Sequence, residues 1–197
     1  MPLADCRRSS RTSLQNLDES TDSEHQRDVI RDTAAIVFGS GEDTTRSSIP
    51  TLFVAMLCFP KAQRKAQEEL NRVLGGRLPE FSDEADLPYL SAVVKGTLRW
   101  GPVAPVWKFS RLNMKSHMFP LPSAVPHFAS EDDVYRGYHI PEGSIVTPNA
   151  WAMLYDEDEY ADRSAFNPDR FMKDGQLNPD VRDPSLMAFG FGRRICP

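Results

Sequence analysis

The sequence predicts a mainly α-helical fold that gives way to a small β region, and three observations support this reading. Apolar residues recur at three- and four-residue spacing from Asp28 onward, strong helix formers fill residues 61–74, and prolines crowd the chain after Pro102. A period near 3.6 marks helices with one buried stripe. Repeated prolines remove the amide donors and the dihedral freedom that long helices need.

Residues 1–27 are polar, rich in Ser, Arg, Asp and Glu, and nearly lack large apolar side chains, so a disordered N-terminal segment is expected there. The first helix is read from Asp28, on Val29, Ile30, Thr33, Ile36, Val37 and Ser40, and apolar residues resume over 49–59. Pro50 lies inside it and deprives the carbonyl of Arg46 of its donor, at roughly 3 kcal/mol or a kink. Pro60 closes this helix and opens the next, which Gly75-Gly76 stops with a residue type that tolerates a left-handed cap. A third helix begins near Leu87-Pro88 and runs to Trp100, ending before Gly101-Pro102. Beyond it Pro105, Pro120, Pro122, Pro126, Pro141 and Pro148 leave loops and short strands, and residues 138–146 read as two strands around a Pro141-Glu142-Gly143 turn. Residues 107–124 show neither periodicity nor capping signals and read as an atypical insertion, since structureless loops beyond about 12 to 15 residues are uncommon in compact domains.

Composition excludes several function classes. The net charge is -5 and the Lys and Arg residues are scattered, so no nucleic-acid partner is expected. The longest apolar stretch, 49–59, contains Pro50 and falls short of the roughly 20 residues that span a bilayer, and Met1 to Arg11 has no apolar core for a secretory signal. Taken alone, the chain is expected to be soluble and cytoplasmic. Its three cysteines, Cys6, Cys58 and Cys196, are odd in number and far apart, making neither a disulfide framework nor a zinc pattern.

Chemistry concentrates in residues 187–197, where bends permitted by glycine or proline surround Cys196, Arg193 and Arg194. Neighbouring guanidinium groups and backbone amides favour thiolate over thiol. With no second Cys or His at ligand spacing, a zinc or iron-sulfur centre lacks ligands, whereas a haem takes one axial residue from the protein. A second constellation, Ser40-Gly41-Glu42-Asp43-Thr44-Thr45, sits inside the first helix. Glycine there costs about 1 kcal/mol relative to alanine and adjacent hydroxyls compete with backbone bonds, so the stretch reads either as sacrificed for function or as a polar face with a glycine defect. A nucleotide-binding loop on Gly39-Ser40-Gly41 fails, because no lysine follows at P-loop spacing.

Phe189-Gly190-Phe191-Gly192-Arg193-Arg194-Ile195-Cys196 matches an F-x-x-G-x-R-x-C loop, and on it the chain resembles the cytochromes P450. Ser40 to Thr45 resembles that family's [AG]-G-x-[DE]-T-T bend, with Ser40 in place of Ala or Gly. Pro168-Asp169-Arg170-Phe171 resembles its Pro-x-Arg-Phe element, and Pro126-His127 ahead of Glu131-Asp132-Asp133-Val134-Tyr135 resembles its propionate-binding strand. The pieces fall in family order, and residues 138–156 and 177–183 look most like fungal members. The resemblance implies the C-terminal portion of the cytochrome P450 fold over 28–197, from distal helix to haem-binding loop. It implies haem b (iron protoporphyrin IX) with Cys196 as axial ligand, Phe189 against the ring, and Arg194 and His127 toward the two propionates. Thr44 would hydrogen-bond oxygen at the iron and Asp43 would relay protons toward it.

The implied function is a haem-dependent monooxygenase that inserts one atom of O2 into a small organic substrate, with electrons from NADPH-cytochrome P450 reductase. A full-length parent would sit at the cytosolic face of the endoplasmic reticulum membrane, and this chain would be a truncated, inactive fragment of it. The alternative is a non-catalytic remnant that does not bind haem. Where the family has Glu-x-x-Arg, this sequence reads Gly96-Thr97-Leu98-Arg99. Residues three apart share a helix face, so the resemblance implies that Arg99 and Arg170, both structural, meet without their anion. Gly96→Glu is accordingly expected to raise haem occupancy and thermal stability.

Overall fold

The structure, a computed structural model, describes Thr12, residues 23–103 and residues 126–196. The expected insertion at 107–124 and most of the polar segment 1–27 lie outside the described residues. Helix α1 spans Ser23–Cys58, so the helix starts at Ser23 and takes in residues expected to be disordered. Glu, Gln and Arg in its first turns carry high intrinsic propensity, and Glu24 there complements the positive helix end, neither of which an apolar period reveals. The helix is continuous through Gly41 and Pro50. Described residues fall into two compact units, the first ending at Ile49 and the second running from Pro50 to Cys196.

In the first unit α1 is laced by ion pairs at helical spacing, Arg31–Asp28 at 3.1 Å and Arg46–Glu42 at 3.8 Å. Thr44 Oγ1 donates to the Ser40 carbonyl at 2.8 Å and Ser48 Oγ to the Thr44 carbonyl at 3.0 Å, a back-bonding mode that keeps hydroxyl residues compatible with a helix.

Among its described residues, the second unit is organised around two longer helices. Phe59 is the N-cap of α2, Pro60–Leu74, whose first residue is the proline that ends α1. Gly75 closes α2 in the left-handed conformation, φ 58°, its N–H donating to the Asn71 carbonyl at 3.1 Å. A 3₁₀ turn over Phe81–Asp86 leads into α3, Pro88–Trp100, the central element of this unit. One side of α3, with Tyr89 and Val93, enters a core with Ala55, Ala62, Ala66 and Phe166. On another side Ala92 enters a second core with Leu154, Tyr160, Phe171 and Met187. Alanines at the contacts let helix backbones approach closely.

Beyond α3 come strands β1 His127–Phe128, β2 Asp133–Tyr135, β3 Tyr138–Ile140 and β4 Ile145–Val146, helix α4 Ala150–Leu154, a 3₁₀ turn over Pro168–Phe171, β5 Met172–Lys173, β6 Gln176–Leu177 and helix α5 Ser185–Ala188. Three antiparallel ladders form: β1 with β4, β2 with β3, and β5 with β6. The two strands expected within 138–146 therefore exist but do not pair with each other. Arg136-Gly137, both at positive φ, makes a two-residue turn that returns β3 onto β2, while β4 reaches back to β1.

Candidate functional site

The cysteine loop is built onto α3 from its N-terminal side. Lys95 of α3 forms an ion pair with Asp183, whose other carboxylate oxygen accepts the N–H of Ser185, the first residue of α5, at 2.9 Å. Burial alone would raise the Asp183 carboxyl; hydrogen bonds from Lys95 and Ser185 outweigh it and hold the group below its ordinary value. Met187 of α5 is buried in the second core, and Tyr160 Oη donates to the Arg182 carbonyl at 3.0 Å. The Phe189 N–H donates to the Ser185 carbonyl at 3.2 Å, and the Phe189 carbonyl accepts the Cys196 N–H at 2.7 Å, closing the loop on itself. Between them Gly190 at φ 85° and Gly192 at φ 58° make the reversals, which side-chain-bearing residues would make only under strain.

This loop has an anchored side and an open one. Phe191 packs on the second core, whereas Phe189 and Ile195 are 45% and 54% exposed beside the exposed Cys196. A thiol flanked by two half-uncovered apolar side chains fits a broad apolar macrocycle that carries a thiophilic metal at its centre. Among the described residues no three His, Cys, Asp or Glu side chains gather in a way that could hold a metal ion.

A second group joins Arg99, in the last turn of α3, to Arg170, in the 3₁₀ turn over Pro168–Phe171. Arg99 is 1% exposed, and its guanidinium donates to the carbonyls of Leu154 (3.3 Å), Arg163 (2.8 Å) and Ala165 (2.7 Å). The rings of Tyr155 and Tyr160 each lie 5.6 Å from it, and its Nε is buried with no acceptor among the described residues. Burial, and then repulsion from Arg170, pull the Arg99 guanidinium down to about 10. Arg170, also lowered by burial, donates to the carbonyls of Asn167 (3.2 Å), Ala161 (2.7 Å) and Asp162 (3.1 Å). Both cations are thus met by backbone oxygens. Nor is the seat of the expected glutamate vacant: a Cβ on Gly96 would stand 3.0 and 3.2 Å from the Phe166 ring, which is edge-packed on Trp100 and tilted against Phe59.

His127 is half-buried on β1 opposite Val146. Thr44 is exposed on α1 in the first unit, and the side chains of Asp43 and Arg194 lie outside the described set. What the structure brings together is Phe189 with Cys196, and Arg99 with Arg170. Lys95, Asp183, Tyr155, Tyr160 and Phe166 support these groups without having been singled out. Asp183-Pro184-Ser185 ahead of Leu186-Met187 is a readable helix start, whereas nothing local marks Phe166 as a neighbour of Gly96.

The sequence model of a family described as Cytochrome P450 matches residues 2–119 and 117–197, two stretches that meet inside the 107–124 segment. Cytochrome P450 monooxygenase ple1 of Rhodocybe pseudopiperita is 47% identical over 184 residues, covering 93% of this chain and 32% of its own. Cytochrome P450 monooxygenase 98 of Postia placenta is 43% identical over 186 residues, with 93% and 32% covered. Tryptamine 4-monooxygenase of Psilocybe cyanescens is 43% identical over 187 residues, with 93% and 34% covered. The chain spans about a third of the length of these curated relatives.

Proposed function

Because this chain belongs to the cytochrome P450 family, we propose that it carries the distal helix and the cysteine loop of a haem-thiolate monooxygenase, which inserts one atom of O2 into an organic substrate. The observation that carries this reading is the Phe189 to Cys196 loop, closed by its own backbone bond with an exposed thiol on its open side. Haem b would be held by Cys196 as axial ligand, with Phe189 and Ile195 covering the ring near the sulfur and Arg194 and His127 serving its propionates. When bound, the haem supplies the iron at which dioxygen is activated, and thiolate ligation favours O–O cleavage.

The chain's own part is to place groups. Phe189 and Ile195 set an apolar surface beside the exposed Cys196, and the reversals at Gly190 and Gly192 bring the Cys196 N–H back to the Phe189 carbonyl. Thr44, whose hydroxyl donates to the Ser40 carbonyl at 2.8 Å, would serve as a hydrogen-bond donor toward oxygen, and Asp43 would relay protons. For a protein of the relatives' full length, electrons would come from NADPH-cytochrome P450 reductase at the cytosolic face of the endoplasmic reticulum. Among the described residues no helix is long and apolar enough to cross a membrane. The 107–124 segment is read as an insertion, supported by the family match dividing there. The rival reading, a remnant that binds no haem, drew on Gly96; the carbonyls around Arg99 and the ring against Gly96 instead support a core that closes without a carboxylate.

In a full-length context, Cys196→Ala is expected to abolish the carbon-monoxide difference band of a thiolate-ligated haem. A variant that kept the band would end the assignment. Thr44→Ala is expected to divert reducing equivalents into peroxide, since loss of one positioned donor costs about 2.7 to 4 kcal/mol of barrier. The measurement is product formed per reductant consumed, and unchanged coupling would remove Thr44 from the mechanism.

A further inference from the structure

Resting on the reading that Cys196 ligates haem, we propose that Lys95 is a positioning residue for the cysteine loop, acting through Asp183 to fix the backbone path that presents the sulfur. The connection is continuous. Lys95 holds one oxygen of the Asp183 carboxylate, the other accepts the Ser185 N–H at 2.9 Å, the Ser185 carbonyl accepts the Phe189 N–H at 3.2 Å, and the Phe189 carbonyl accepts the Cys196 N–H at 2.7 Å. Each link is a main-chain bond or a charge-assisted one, so a shift at Asp183 is transmitted to the cysteine amide rather than absorbed by side-chain rotation.

Three further observations set this pair apart from an ordinary surface ion pair. The Lys95 and Asp183 side chains are 24% and 35% exposed, whereas both partners of the Arg31–Asp28 and Lys173–Asp180 pairs are more than half exposed. Partly desolvated, charge-assisted pairs hold geometry that exposed ones do not. Lys95 also sits on α3, which both cores clamp, so its ammonium is referenced to the most fixed element of the unit. Finally, the segment is pinned on either side of Asp183 by Tyr160 Oη on the Arg182 carbonyl and by buried Met187. Those two contacts set where the segment lies; the Lys95 ion pair sets the orientation of the carboxylate that starts α5.

The test uses full-length, haem-loaded protein and reads the fraction of bound haem that keeps its thiolate ligand, from the two carbon-monoxide difference bands, alongside the thermal midpoint. Lys95→Met is expected to raise the ligand-lost fraction several-fold per bound haem, Lys95→Arg to restore it, and Asp183→Asn, which keeps an acceptor for Ser185, to give an intermediate value. A merely structural lysine would lower haem content and thermal midpoint while leaving the ratio per bound haem unchanged, and that result overturns the proposal. Should Lys95→Met fail to fold, Asp183→Asn decides by the same ratio, a wild-type value counting against the proposal. Cys196→Ala separates the two levels: a retained thiolate band defeats the ligand assignment itself, whereas loss of the band with an unmoved Lys95→Met ratio defeats only the positioning role.

Discussion

Arg99→Met is expected to lower the unfolding free energy by about 2 to 4 kcal/mol, read as a reduced urea midpoint at unchanged slope. Methionine restores volume and removes a desolvated cation, which by itself favours the variant and relieves repulsion from Arg170. Against this stand three carbonyls, of Leu154, Arg163 and Ala165, that lose the guanidinium as donor. The bond to Leu154 is buried and the other two are partly so; an orphaned buried acceptor costs about 1 to 3 kcal/mol, and the three together outweigh the relief. Arg99→Lys should recover only part of it, because one ammonium cannot reproduce a planar fork that serves acceptors on two sides. A methionine variant as stable as the parent would mean that water reaches these carbonyls.

Gly96→Glu is expected to destabilise, reversing the expectation drawn from the family motif. The Phe166 ring stands where the first carbon of any side chain at position 96 would go, and it is 3% exposed between Phe59 and Trp100. Overpacking of this kind costs about 1 to 3 kcal/mol, and a glutamate must push further and bring a carboxylate among aromatic rings. Alanine meets the same ring edge but recovers about 1 kcal/mol of helix propensity, so it should fall near the parent. The order parent, alanine, glutamate is checked by thermal midpoints. In a Phe166→Ala background the glutamate should cost far less, and additivity in that cycle would show that Phe166 does not hold the seat.

What could be read in advance was local. Proline at 60, the glycine pair at 75 and 76 and the apolar period of residues 88–100 each act within one or two turns, so α2 and α3 were legible almost to the residue. The cysteine loop was legible because its cysteine, its glycine reversals and its phenylalanine are contiguous. The two strands around Pro141-Glu142-Gly143 were legible, but their partners were not, because Arg136-Gly137, which makes the hairpin turn, lies outside the apolar run. The acceptors of Arg99 were beyond reach, since backbone carbonyls have no side-chain identity to read. Phe166 met Gly96 only through tertiary packing, for which a family motif is no substitute when the motif itself is altered.

Glu69 of α2, though charged, is nearly buried, and its two carboxylate oxygens accept the Tyr89 and Leu90 N–H groups at 2.9 and 2.8 Å. Leu87, at the N-cap, supplies no side-chain acceptor, so the first amides of α3 are satisfied from another helix. Helix α3 is therefore conditional on α2: its start is complete only once the two have docked. Because the bonded residues stand 20 and 21 positions apart, the intervening loop closes at modest entropic cost. The two helices are thereby coupled in stability, so removing the Glu69 carboxylate would leave the first amides of α3 without their acceptors.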